Sequence, residues 1–484
     1  MRTEFDIVGG FNRQTNSSIA GERSVNWYEF EDPKGKREKV LNPTSGLLAK
    51  INFPGTGGVR GSLVFNGNLY VVVGSGVFLV NSNLVPDQIG TLTTFTGQVD
   101  IEANTFQVIF VDGVAGYIWD TTLSTFNPIL GNGFPAKPLG VAYIDGFFCV
   151  PVGQTNQWVI SQLNQGTIWN NLPAGNVASI TAHPGTITAI KTLHRRLFIF
   201  SQNFCEVWEN AGAADFPFRR NNTLLMEFGT IAKASVVSAF DRLFFMSNSK
   251  DGFGHIMMVV GTEAIAISSQ ALDNVIQGYT SITDATGMCY QDNGIVFYRL
   301  NFTVANNTWV FNETQSQQNN LKWHEEQTLN RNRHVGQVAM FFNGINYFGD
   351  YQNPVIYQVS QDYLTNNGEP ILRERITKQL FDKSNNRQRV DRLFLDLIQG
   401  EVPANSVYPG TDAQPLIMLA ISRDGGRTYG SVLSAPMGPI GKRIFRTIFR
   451  KLGTSRTFTF RFRCYNAIKC VLLGATIDYE TLPE

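Results

Sequence analysis

Gly67 to Val80 reads GNLYVVVGSGVFLV. Leu69 to Val73 form one apolar run, Gly74-Ser75-Gly76 turns the chain, and Val77 to Val80 form a second run. Short runs rich in β-branched and aromatic residues, joined by a glycine turn, make an antiparallel hairpin. The unit returns as Asn104 to Asp120 (NTFQVIFVDGVAGYIWD), Asp145 to Ser161 (DGFFCVPVGQTNQWVIS) and Arg195 to Asn210 (RRLFIFSQNFCEVWEN). It returns again as Asp241 to Val259 (DRLFFMSNSKDGFGHIMMV), Asn293 to Phe311 (NGIVFYRLNFTVANNTWVF) and Asn343 to Ser360 (NGINYFGDYQNPVIYQVS). The starts lie 37, 41, 50, 46, 52 and 50 residues apart. Hairpins at that period predict a β-propeller of about seven blades, each hairpin forming the middle of a four-stranded blade. One small sheet cannot bury both faces alone, and stacking blades radially covers them while leaving only short edges. A flat sandwich, the rival, has strands at roughly 8–12 residue spacing with no longer period. Residues 61–365 are assigned to the propeller.

Composition agrees. The 484 residues are 43% hydrophobic, 12% aromatic and only 16% charged, with 45 Gly and 36 Phe, which is the balance of a turn-rich all-β protein and excludes a disordered chain. No run approaches the ~18 apolar residues of a membrane span. No apolar segment follows Met1 to Asp6 as a secretory signal requires. Cys149, Cys205, Cys289, Cys464 and Cys470 are odd in number and scattered, which fits reduced thiols in a protein made in a cytosol.

Two flanks leave the repeat. Residues 1–60 are polar and short of strand signal, with a charge run from Glu29 to Lys39 (EFEDPKGKREK), and read as an extended arm. Residues 366–484 are expected to form a β-sandwich-like domain with a basic face. The total charge of +1 conceals an asymmetry: residues 370–484 hold 18 Lys/Arg against 10 Asp/Glu, leaving 22 against 29 before them. Helix is scarce, and its best candidate is Gln270 to Gly278, with Ser268 or Ser269 as N-cap and Gly278 as stop.

No phosphate-binding glycine loop, zinc-protease helix motif or nucleophile elbow occurs. The five histidines are well separated, and His324-Glu325-Glu326 reads as a solvated surface turn rather than a metal site. Ser422 to Tyr429 (SRDGGRTY) matches the Asp-box pattern S-x-D-x-G-x-T-[W/Y]. Its chemistry is local: Asp424 accepts from turn amides, Gly426 takes positive φ, Tyr429 lies under the hairpin, and Ser422 opens the turn. Catalytic, cofactor-binding and metal-binding residues are therefore expected to be absent. From Gly425 to Ile477 there are ten Lys/Arg and no Asp or Glu. Phe445, Ile448, Phe449 and Leu452 admit an amphipathic helix, whereas Thr457 to Arg463 alternate as a strand. Lys442, Arg443, Arg446, Arg450, Lys451, Arg461 and Arg463 are the candidates for meeting polyphosphate or an acidic partner, against the alternative of a solvated sheet face.

Arg23-Ser24-Val25-Asn26-Trp27-Tyr28-Glu29 resembles the R-x-V-N-W/M-Y-P-E opening of packaged-DNA stabilisation proteins, the tail hub or nozzle components of short-tailed bacteriophages. Ser268 to Leu272 with Ile276 and Tyr279, Gly368 to Arg373, the Ser422 to Gly430 turn and the basic alternating end are similar to that family in the same order; Phe30 departs from its usual Pro. The resemblance implies a structural protein of the virion tail, synthesised in the bacterial cytoplasm. It also implies a homo-hexameric ring below the portal and its adaptor ring protein, extending or closing the DNA channel and helping to retain packaged DNA. Attachment of needle and fibre or spike proteins is implied as well, with non-specific contact to double-stranded DNA in transit. The competing expectation, raised by the Asp-box, is a glycan-binding or sialidase-like propeller, which needs aromatic and acidic residues converging on the propeller axis.

Overall fold

The computed structural model describes residues 2–14, 21–34, 37–131, 133–172, 175–249, 252–398, 401, 414–442 and 444–482. Among the described residues seven strands are the first of their blades: Val59–Phe65, Asp100–Ala103, Ala142–Ile144, Ile187–Leu193, Val237–Ala239, Thr286–Asp292 and Gly336–Phe342, and all but Ala142–Ile144 line the axial cavity. Each is followed outward by the two strands of one quoted hairpin, so those hairpins are the second and third strands of blades 1 to 7. Side chains alternate between the two faces of each blade. Tyr70 and Val72 enter the core between blades 1 and 2, while Leu69, Val71 and Val73 enter the core between blades 7 and 1. Several first hairpins turn through residues at positive φ, as at Asn293 (48°) and Gly294 (78°), the geometry that favours Asn-Gly. Blades 4 and 5 use His194-Arg195 and Phe240-Asp241 in the same conformation without glycine.

Blades 1 to 6 draw their outer strand from the residues after the hairpin. Blade 7 takes Gly46–Asn52, which pairs antiparallel with Val355–Ser360 and closes the circle. The first sixty residues, read as a strand-poor arm, thus supply six strands. Arg2–Phe5, Trp27–Glu31 and Lys39–Pro43 join one sandwich sheet, together with Leu472–Leu482, Arg387–Leu397 and Thr447–Ser455. Gly21–Val25 lies between Trp323–Glu325 of blade 6 and Arg373–Ile376 of the facing sheet, so blade 6 and that sheet are continuous. The facing sheet continues through Thr457–Cys464, Leu416–Ser422 and Leu433–Pro436. Between the two sheets lie Phe5, Trp27, Leu393, Phe449, Phe458, Phe460, Phe462 and Ile477.

Three local expectations meet the structure differently. The predicted helix is present as α1 (Gln270–Gln277), where Ser269 Oγ accepts from Leu272 N at 3.3 Å and Gly278 ends it. Residues 447–455 are a strand and not an amphipathic helix: a bulge puts Val390 opposite Gly453 but Arg392 opposite Arg450. The one extra residue on this strand places Phe449 and Leu452 three apart, both inward, which imitates helical spacing. His324-Glu325-Glu326 is buried rather than a surface turn. The added strand Gly21–Val25 flanks it, and its charges are matched, Glu325 by Arg23 at 2.6 Å and Glu326 by Arg299.

Candidate functional site

The basic candidates divide between opposite sides of the sandwich. Lys442 and Arg446 stand exposed in the loop entering Thr447–Ser455, and Arg450 and Lys451 stand exposed on that strand; Arg443 lies outside the described residues. The bulge, with Lys451 at φ 59°, turns two consecutive cations outward. Arg446 lies 5.6 Å from the Phe394 ring, whose neighbourhood also holds Arg2 at 4.5 Å. Arg450 faces Arg392 across the ladder, and among the described residues neither Arg450 nor Lys451 has a carboxylate partner. Ile444, 90% exposed, and Ile440 add an apolar element to this cationic edge.

Arg461 and Arg463 lie on the other sheet. Arg463 Nε donates to Glu374 Oε2 at 2.5 Å; Glu374 also takes Arg23 at 3.0 Å, and Arg23 reaches Glu325 at 2.6 Å. This relay ties the sandwich to blade 6. The Arg461 guanidinium stacks 4.1 Å from the Tyr429 ring centre. In the turn beneath, Asp424 accepts from Ser422 Oγ at 2.6 Å, Arg427 N at 3.0 Å and Thr428 N at 3.0 Å, while Gly426 sits at φ 87°. The Ser422 hydroxyl first, and then Thr428, hold the Asp424 carboxyl well below its ordinary range.

The propeller axis holds a charged cluster that sequence reasoning missed. Asp100 of blade 2 lies 3.4 Å from Lys191 Nζ of blade 4 and 3.2 Å from Lys233 Nζ, which enters from the segment before blade 5. Lys233 also donates to the Leu139 carbonyl of the segment before blade 3, so the cluster stitches four blades together. Gly140 makes room for it, since a Cβ there would lie 2.3 Å from Asp100 Oδ2. Burial opposes the charge on Asp100, yet the two lysines outweigh it and keep the carboxyl below its ordinary value. Glu102, next on the same face of the strand, is pushed up to about 7 by burial. The cavity around them, about 420 Å³, is lined by Arg60, Gln98, Thr286 and Gln337 among others and by no aromatic ring among the described residues. No local motif links these four residues; the available signal was a charge within an otherwise apolar inner strand.

Fold and surface define a class: a β-propeller joined through a shared sheet to a β-sandwich with a cationic edge. Residues 3–364 match the family model described as Bacteriophage P22 Gp10, beta-propeller, and residues 373–480 match Bacteriophage P22 Gp10, beta-sandwich. The chain belongs to the bacteriophage P22 Gp10 family of phage tail structural proteins. Among solved structures it is similar to a streptogramin B lyase, at 10% identity and TM-score 0.43, over 66% of this chain and 98% of the lyase. It is also similar to the computationally designed Ika8 protein, at 11% identity and TM-score 0.39, over 70% of this chain and 100% of Ika8. No curated protein sequence matches.

Proposed function

We propose that the chain is one subunit of a hexameric tail hub or nozzle in a short-tailed phage virion. In this reading the ring extends or closes the DNA channel below the portal and adaptor, helps retain packaged DNA and carries the needle and fibre or spike attachments. The observation that carries it is family membership in both domains and in order, over 3–364 and 373–480. The dimensions of the propeller bore support it: about 420 Å³ is the volume of a small-molecule pocket, and Asp100, Glu102 and Lys191 line it. Duplex DNA then passes between copies and not along a propeller axis. Lys442, Arg446, Arg450 and Lys451, with Arg443 of the same stretch, are the contacts proposed for the adaptor ring or for passing DNA. A ring repeats this edge around a shared channel, where attraction to phosphate is sequence-independent and salt-sensitive. Counting copies in purified virion tails, with native mass spectrometry of the isolated assembly, tests the reading. Six copies per tail are expected; a monomer absent from virions overturns it.

A further inference from the structure

The sandwich core brings two thiols and one guanidinium together. Cys464 ends the strand Thr457–Cys464 of one sheet, and Cys470 stands two residues before Leu472–Leu482 of the other. Both side chains are fully buried in the cluster between the sheets. The loop Tyr465 to Lys469 carries the chain across, and the two thiols are hydrogen-bonded to each other. Arg373 lies opposite Cys464 in the ladder and is 1% exposed. Its Nη1 makes a long contact of 3.5 Å to the Asn466 carbonyl of the loop, and its Nε has no hydrogen-bond partner. Among the described residues no carboxylate pairs with it, and the ionisable groups that act on it are the two thiols. The other cysteines have no such company: Cys149 and Cys205 lie in the cores between blades, and Cys289 faces the axis.

A buried guanidinium without a counter-ion is strongly unfavourable, so its surroundings favour an anion beside it. A neighbouring cation converts thiol to thiolate, which is the nucleophile in disulfide chemistry. The hydrogen bond to Cys464, together with burial, pushes the Cys470 thiol up against the pull of Arg373. Cys470 therefore stays the donor, and Cys464 is the sulfur that takes the charge.

We propose that Cys464 and Cys470 form a modification site, a dithiol that closes to a disulfide across the sandwich when the chain leaves a reducing cytosol and meets a low-molecular-weight disulfide. The setting in which this happens rests on the virion reading above; the bond itself is a property of the isolated chain. Cys464 loses its proton to water, and its thiolate attacks one sulfur of oxidised glutathione, forming a mixed disulfide and releasing a glutathione thiolate. That thiolate takes the Cys470 proton. The Cys470 sulfur then attacks the Cys464 sulfur, closing the protein disulfide and expelling the second glutathione, which is protonated by water. Two electrons have passed from the cysteines to the oxidant. Access comes by local opening of the loop, whose internal backbone bond among the described residues is Ile468 N to Asn466 O at 2.9 Å. A surface crevice lined by Pro415, Met437, Ile468 and Lys469 adjoins it. The bond pins the two sheets where Trp27 Nε1 donates to the Cys470 carbonyl at 2.8 Å, so it also secures the strand Trp27–Glu31. It lowers the entropy of the unfolded chain as well.

The full chain, purified in reductant and moved without denaturant into oxidised glutathione, is alkylated, cut with trypsin and mapped by mass spectrometry. Trypsin cuts after Arg463 and Lys469, so the bond joins two peptides that are otherwise separate. The joined pair is expected, with Cys149 and Cys205 alkylated, and the oxidised chain should unfold at higher urea than Cys464→Ser treated alike. Arg373→Met is expected to slow closure about fivefold or more, and Arg373→Lys to restore much of the rate. Separate, alkylated peptides after prolonged exposure, or a bond that forms only in urea, overturn the site. An unchanged rate in Arg373→Met overturns the part given to the guanidinium; should that variant fail to fold, the mapping of the parent chain still decides on the bond. In released virions the joined pair is expected, and separate peptides there overturn the timing. None of these results bears on the number of copies in the tail.

Discussion

Arg375 is fully buried, and its guanidinium donates to the Ile7 carbonyl at 2.7 Å, the Gly10 carbonyl at 2.8 Å and Glu22 Oε1 at 2.6 Å. It holds the first strands of the chain against the junction of blade 6 and sandwich. Methionine at this position keeps the volume but leaves these acceptors unmatched, including a carboxylate, a loss of about 3–5 kcal/mol. Urea unfolding of Arg375→Met should show it, together with faster proteolysis within residues 2–14; an unchanged midpoint would contradict the clamp. His334 offers a test by pH. Its Nδ1 accepts from Gly336 N and Arg299 Nη1, both at 3.0 Å, so the buried ring is neutral. Burial, aided by Arg299, pushes its pKa down to about 3, and Arg299 overcomes burial to hold Glu326 at about 2. Because the folded His334 value lies below the unfolded one of ~6.5, the unfolded chain takes up the proton first. Its contribution is whole above about pH 6.5 and drains away toward 3, while that of Glu326 is lost from about pH 4.3 toward 2. Stability should therefore decline below pH 6.5 by on the order of a few kcal/mol, and His334→Gln should flatten the part of the decline above pH 4.5. Denaturant unfolding between pH 4 and 7 reads both, and an identical slope in the variant refutes the assignment.

At the scale of elements, closure of the circle rests on Gly46–Asn52. A Cβ on Gly46 would meet the backbone carbonyls of Tyr363 at 2.2 Å and Thr365 at 2.6 Å, which cannot swing aside as a side chain does. Gly46→Ala should cost about 1–3 kcal/mol. Hydrogen exchange should localise the loosening to Gly46–Asn52 and Val355–Ser360 rather than to blades 3 and 4; uniform protection loss would mean that the seam is not a separate weak point. The same strand shows why part of the fold escapes the sequence. Each quoted hairpin carries its partner a few residues away, across a turn whose residues are themselves diagnostic, so blades are legible locally. Leu48 instead lies opposite Gln358, and nothing in GLLAKIN indicates that partner. Likewise the Asp424 turn was readable because the groups it binds lie within its own loop. The axial cluster was not, because Asp100, Lys191 and Lys233 converge only after the blades have closed. The bulge at Lys451 misled periodicity itself, since one inserted residue changes a two-residue repeat into a helical one.

Across the whole molecule, charge is separated by domain: 22 Lys/Arg against 29 Asp/Glu through residue 369, and 18 against 10 from residue 370 onward. Folding removes some of that basic excess from any partner's reach, as Arg463 goes to Glu374 and Arg461 to the Tyr429 face. What stays on the cationic edge is Lys442, Arg446, Arg450 and Lys451, around a bulge that suits an edge strand because it discourages continuous sheet pairing. If this edge meets duplex DNA, every phosphate it neutralises releases counterions, and log affinity falls with log salt by about 0.9 for each. Replacing Lys442, Arg446 and Arg450 together by alanine should lower that slope by about 3 and weaken all DNA sequences alike. Arg463→Ala should leave the slope alone and lower stability instead, through loss of the relay from Glu374 to Arg23 and Glu325. Binding of duplex DNA across 50 to 200 mM salt, with urea unfolding alongside, separates the two groups. An unchanged slope in the triple variant removes DNA from this edge and leaves it to a protein partner, for which the exposed Ile444 among the cations is the better fit.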